Sequence, residues 1–288
     1  MGLLLPSVEE ALAAWGRRVR ENREQVDRVR EVEDGADFYG PVSSMFRADP
    51  RREDDPALEV LRSLVESGET WLDIGAGGGR YALPLALLAG EVIALDPSEG
   101  MLAVLREGMA EHGIQNVRIV QSRWPPAEPV GADVALIAHV GYDIEAIGPF
   151  LDGMEAAASR LCVAVLLERQ PTWTLDALWP AVHDQQRATL PSLPDFLALQ
   201  ATRGRACDVR RVGRTQQSYE SLEQAIAFAR RQTWVRPGGD KDRRLQAAVA
   251  ERLIEQDGRY ALSWEPTPVG IVTWEPPSAA DTSQGERE

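Results

Sequence analysis

Cysteine is scarce. Cys162 and Cys207 are the 2 cysteines of 288 residues, far apart and with no metal-ligand spacing. No disulfide framework follows, and a reduced, cytoplasmic compartment is the natural expectation. Lysine is scarcer still: Lys241 is the single one, so basic charge rests on arginine. Basic residues are also outnumbered, 31 Lys+Arg against 45 Asp+Glu, for a formal net charge of -14. Such a surface repels phosphate backbones and acidic lipid. A small-molecule partner is therefore favoured, and nucleic acid is disfavoured. No apolar run reaches the ~18 residues of a membrane helix. Met1–Pro6 lacks the basic start and the length of a signal peptide. There is no internal repeat. Histidine occurs 3 times, and no cluster of acids and amides reads as a metal centre, so no metal is expected.

What is present is a normal core, with 44% hydrophobic residues, enough for one large domain or a domain with a lid. The chain is organised around Trp71-Leu-Asp-Ile-Gly-Ala-Gly-Gly-Gly-Arg80, continuing Tyr-Ala-Leu-Pro-Leu-Ala86. Trp71, Leu72 and Ile74 suit a buried strand. Gly75, Gly77 and Gly79 then permit a tight turn, and backbone approached so closely exposes free N–H groups to a ligand. In open α/β sheets ligands bind at the carboxyl ends of the strands. The dinucleotide fingerprint needs a third glycine where Arg80 stands, so a nicotinamide dehydrogenase is disfavoured. A second segment follows, Glu91-Val-Ile-Ala-Leu-Asp96, then Pro97-Ser-Glu-Gly-Met101. It reads as an apolar strand ending on a carboxylate. Asp96 suits the two hydroxyls of a ribose; alone, it equally suits a helix N-cap.

The acid of Asp73 followed by GxGxG, with Asp96 a strand later, resembles motif I and its sequel in the class I S-adenosylmethionine (SAM) methyltransferases. The resemblance covers about residues 55–170, with weaker support to 274. It implies a Rossmann-like seven-stranded, mostly parallel sheet with helices on both faces, here with an N-terminal helix and a helical cap insertion. It implies SAM as cofactor. Asp73 then lies near its methionine part, Gly75, Ala76, Gly77 and Gly79 form the turn, and Asp96 holds the ribose. Pro97, Ser98 and Met101 flank the adenine. The family often has an acid after the third strand. This chain has Ser122, Arg123 and Trp124 there, so Ser122 or backbone would contact the base, with Trp124 either stacking on it or packing in the core. Ala138 and His139, at the end of the fourth strand, face the transferred methyl. His139 is a pocket-lining imidazole or a general base, with Tyr142 as a substrate-side helper.

The function implied is methyl transfer to an O or N atom of a small acceptor by a monomer or homodimer. The alternative is a SAM-binding module or partner protein without turnover. The remaining chain divides as 1–54, an N-terminal helix from Ser7 to about Glu33 plus a pocket-covering loop; 55–214, the SAM-binding core; 215–258, the helical cap; 259–274, the final antiparallel strands; and 275–288, a disordered tail. The first helix either dimerises or packs on its own chain. Tyr39 and Arg47, in the loop, are candidate substrate residues. Residues 170–260 carry a small basic excess, which either favours an anionic substrate or is a solvated surface.

Overall fold

Side chains set the start of the first helix. Ser7 caps α1 (Val8–Val29), and Glu10 returns the bond to the Ser7 backbone, a reciprocal capping box. The apolar stripe of α1 packs on its own chain. Trp15 and Val19 join the main core, and the Trp15 indole donates to the Ile144 carbonyl at 3.0 Å. The structure, a computed structural model, describes residues 6–33, 35, 37, 40, 43, 46–214, 218–256, 258–262 and 267–277.

Asp55 caps α2 (Pro56–Ser63), whose proline sits in the first turn where a missing N–H costs nothing. Then come β1 (Thr70–Ile74), the short α3 (Ala82–Ala86), β2 (Glu91–Asp96) and α4 (Glu99–His112). Gly113 stops α4 in the left-handed conformation, φ 66°. β3 (Val117–Gln121), β4 (Ala132–Ala138), α5 (Ile147–Ala157) and β5 (Ala158–Leu167) complete the parallel half. β1, β2 and β4 pair in parallel and in register, Asp73 opposite both Ala94 and Leu136. Their unbroken apolar runs are buried on both faces, as central parallel strands require.

Beyond β5 lie α6 (Trp173–Asp176), α7 (Trp179–His183), α8 (Leu193–Thr202), β6 (Asp208–Val212), β7 (Ser218–Tyr219), α9 (Leu222–Thr233), α10 (Asp240–Ala250), β8 (Leu253–Gln256), β9 (Arg259–Leu262) and β10 (Val269–Trp274). The main sheet has 7 strands in the order β3-β2-β1-β4-β5-β10-β6. β10 runs antiparallel between β5 and β6, so β6 is the edge and points the same way as β5.

Three sequence expectations need correction here. The run Thr174–His183 reads as one helix with Pro180 near a break and forms two, α6 and α7, with Pro180 in the first turn of the second. The helix expected from Asp240 to Gln256 stops at Ala250. Its end becomes β8, because Leu253 packs on the cap's own core while Ile254 faces solvent, a period of two. Arg259–Leu262 does not close the main sheet. It pairs with β8 and β7 in a separate 3-stranded sheet, Leu253 opposite Leu262 and Tyr219 opposite Tyr260. The insertion between β6 and β10 is thus mixed, not purely helical. Its core joins Leu178, Val182, Val235, Leu245, Val249 and Leu262. Residues 278–288, most of the expected tail, lie outside the described residues.

Candidate active site

The glycine turn leaves β1 and folds back on β2. The N–H groups of Gly75 and Ala76 both donate to the Leu95 carbonyl, at 2.7 and 3.1 Å. Gly75, Gly77 and Gly79 all have positive φ. Their reasons differ. A Cβ on Gly75 would meet Val140 Cγ2 at 2.6 Å, and one on Gly79 would meet Leu105 Cδ1 at 2.5 Å. Packing by the protein itself therefore demands those two. At Gly77 the nearest atom would be Met101 Sδ at 3.9 Å. Gly77 is the glycine that leaves room for something else.

Two carboxylates stand by that room. Asp73 is 2% exposed, and its Oδ1 has no hydrogen-bond partner among the described residues. Burial drives its carboxyl up to about 7; the Asp96 charge adds to this, and the Ala82 N–H opposes it. Asp96 is 8% exposed. Its Oδ2 accepts the Gly77 N–H at 2.9 Å and its Oδ1 the Ser98 N–H at 2.8 Å. Burial raises this carboxyl too, against those two N–H groups. Both oxygens keep lone pairs for further donors. A buried carboxylate with an orphaned oxygen, beside an open glycine, fits a ligand carrying ammonium and hydroxyl donors.

The other predicted residues scatter around this centre. Ala76 and Met101 are buried beside the turn, Pro97 is exposed and Ala138 is half-buried. Ser98 caps α4, its hydroxyl accepting from the Met101 N–H at 3.1 Å. The Ser122 N–H ties the end of β3 to the Asp96 carbonyl at 3.2 Å, and Arg123 is exposed. Trp124 departs from the stacking expectation. Its indole N–H donates to the Phe150 carbonyl at 3.1 Å and its ring meets Phe150 edge-on. That bond anchors it to α5. Arg47 also departs: it pairs with Glu111, and with Glu107 at 3.9 Å, on the far half of α4. Tyr39 lies outside the described residues.

His139 sits where β4 ends, in the left-handed conformation, φ 59°. Its ring is half-covered and faces Tyr81 at 6.5 Å between centroids. Burial, then the charges of Arg214 and Arg80, pull the imidazole down to about 3. The Tyr142 hydroxyl accepts the Leu167 N–H at 2.7 Å, and burial pushes its phenol up. The Tyr142 proton is then free for His139 Nδ1, 3.4 Å away. With Tyr142 donating, the imidazole proton is on Nε2. A neutral ring so hard to protonate is a hydrogen-bond donor and a poor general base.

Several residues here carried no sequence signal. Asp37, from the N-terminal segment, accepts from the Ser98 hydroxyl at 2.7 Å and the Gly100 N–H at 3.0 Å, closing over the start of α4. On the opposite side, Asp55 Oδ2 accepts from Arg52 at 3.0 Å and Arg80 at 2.8 Å. Burial favours a neutral Asp55, but Arg80 and Arg52 outweigh it and hold the carboxyl low. Both guanidinium groups lie against the Tyr81 ring, at 5.8 and 5.7 Å.

A family model described as a methyltransferase domain matches residues 72–147. That span runs from the turn's strand past Tyr142, and the sheet order matches the class I methyltransferase fold. The chain is 38% identical over 77 residues to ribosomal RNA small subunit methyltransferase G of Neisseria gonorrhoeae, covering 26% of this chain and 37% of that one. It is 36% identical over 84 residues to the 23S rRNA (uracil(1939)-C(5))-methyltransferase RlmD of Alkalilimnicola ehrlichii, 29% of this chain and 16% of that one. The chain thus spans little more than a third of the first of these curated relatives and about a sixth of the second. Among solved structures, YcgJ of Bacillus subtilis superposes with a TM-score of 0.54 at 16% identity, covering 77% of this chain and 99% of that one. At that identity the likeness speaks for the fold. No helix among the described residues is long and apolar enough to cross a membrane.

Proposed function

We propose that this chain binds SAM at the Gly75–Gly79 turn and transfers its methyl to an O or N atom of a small acceptor. The observation that carries this reading is the open space at Gly77 between the orphaned Asp73 oxygen and the Asp96 carboxylate. Asp73 would hold the ammonium of the methionine part, and Asp96 the ribose hydroxyls. Met101 and Ser98 would lie on the adenine side, and Ala138 and His139 on the methyl side. When bound, SAM supplies an activated methyl on a sulfonium, which leaves by in-line displacement; alignment is then the protein's main task. With Tyr142 donating to Nδ1, His139 would orient the acceptor through Nε2–H without taking its proton, which passes to solvent.

The acceptor class rests on charge. A chain of -14 is poorly suited to a polyphosphate surface. The named relatives act on ribosomal RNA, which favours the other acceptor class. Incubation of the full chain with methyl-labelled SAM, a small-molecule extract and total RNA decides between them. Label in the small-molecule fraction supports the reading. Label confined to RNA overturns the acceptor, and label in neither, with SAM bound, favours a module without turnover.

A further inference from the structure

The basic side of the cleft has a member that neither the glycine turn nor the family match includes. β6 runs parallel to β5, and Val212, Val269 and Leu167 stand opposite one another across the three last strands. Arg214, two residues past Val212, therefore leaves the sheet at the carboxyl end of the strands. The Leu167 N–H holds Tyr142 there, and Tyr142 reaches His139. Arg214 is exposed to solvent and yet within electrostatic reach of Tyr142, His139, Tyr81 and Arg80. Its guanidinium is thus crowded by these groups and still open to solvent. Among the described residues it makes no ion pair and no side-chain hydrogen bond.

Arg80, within electrostatic reach of Arg214, has its side chain 47% exposed. Arg52 and Arg80 share one carboxylate, Asp55, and Arg214 has no ion-pair partner among the described residues. The imidazole and the two phenols are neutral at physiological pH. Three guanidinium groups with one carboxylate among them repel, and the Arg80 charge bears on Arg214, in a chain whose acids outnumber its bases. An oxyanion between two arginines removes that repulsion and accepts charge-assisted bonds from both.

We infer that the cleft mouth between Arg214 and Arg80 binds the anionic oxygens, carboxylate or phosphate, of a small organic acceptor. That this anion belongs to the methyl acceptor rests on the methyltransferase reading; the anion preference does not. A ring-bearing anion also fits, since the Tyr81 and His139 rings, 6.5 Å apart, lie within electrostatic reach of Arg214.

The test is calorimetric titration of the full chain with benzoate, phenyl phosphate and neutral benzamide, with and without saturating S-adenosylhomocysteine. At least one anion is expected to bind tenfold or more tighter than benzamide. Arg214→Gln is expected to weaken it at least tenfold and Arg214→Lys less, with S-adenosylhomocysteine affinity unchanged within twofold. Whichever anion responds identifies the oxyanion. Anions no tighter than benzamide, or an unchanged anion affinity in Arg214→Gln with native melting retained, overturn the inference. So does an RNA oligonucleotide that outcompetes both anions and is lost in the same variant. Absence of S-adenosylhomocysteine binding with anion binding intact instead sinks the methyltransferase reading.

Discussion

The two walls of the cleft carry opposite charge and are built in opposite ways. The acidic wall, Asp73 and Asp96 with Asp37 closing over α4, comes mostly from one stretch of chain, a strand, a turn and the next strand. The basic wall, Arg52 and Arg80 on Asp55 with Arg214 in electrostatic reach of Arg80, comes from a loop, a helix start and the far edge strand. On the acidic wall a carboxylate is buried without a counterion. On the basic wall a carboxylate is over-supplied with them. One wall lacks a cation and the other lacks an anion, which is what a cationic cofactor and an anionic acceptor would each complete.

Removing a carboxylate should then have opposite signs on the two sides. Asp73 has its folded pKa raised to about 7, so the folded state binds more protons between the unfolded value and 7. Its ionisation therefore costs stability as pH rises through that window. Asp73→Asn is expected to stabilise the free protein by roughly 2–4 kcal/mol near pH 8, and by little near pH 4, in urea melts. A loss of stability near pH 8 would mean Asp73 already has a partner. Asp55 has its folded pKa depressed, so its contribution is present above the unfolded value and lost as pH falls through the folded one. Asp55→Asn is expected to cost about 1–3 kcal/mol at neutral pH, discounted because Arg80 is half in solvent. An unchanged urea midpoint would show that the arginines pair elsewhere.

Within the turn, Gly79→Ala meets Leu105 and Leu83 at positive φ and should cost about 2–4 kcal/mol of stability. Gly77→Ala meets nothing closer than 3.9 Å and should cost only about 1 kcal/mol while impairing S-adenosylhomocysteine binding. Equal stability losses would erase the distinction between a packing glycine and a ligand glycine. The smallest effect is at His139. The pH profile of methyl transfer in His139→Gln should keep the limb seen in the native chain, because this imidazole is neutral down to about 3. A limb near 6.5 that vanishes in the variant would restore the general base.

The acidic wall was legible because its chemistry is local. Spacing alone puts Asp73, the glycines and Asp96 on consecutive turns of one α/β unit, and an apolar run announces each strand. The basic wall was not. Arg214 is one of 13 arginines in residues 170–260, and only the register of β6 on β10 sets it apart. Trp124 was ambiguous for the same reason. An aromatic after a strand can turn to a ligand or to a helix, and only the distance to the Phe150 carbonyl decides. Leu253–Gln256 shows the reverse: its leucine continues a helical period by accident, and the hairpin with Arg259–Leu262 overrides it.

The most direct measurement of the central claim is S-adenosylhomocysteine affinity as a function of pH in the native chain, Asp73→Asn and Asp96→Ala. Its ammonium needs Asp73 ionised, so native affinity should fall roughly tenfold from about pH 8 to about pH 6. Asp73→Asn should bind weakly and without that dependence, and Asp96→Ala should lose at least about tenfold at every pH. No binding heat, or a pH-independent native affinity with Asp96→Ala indistinguishable from it, would contradict the account.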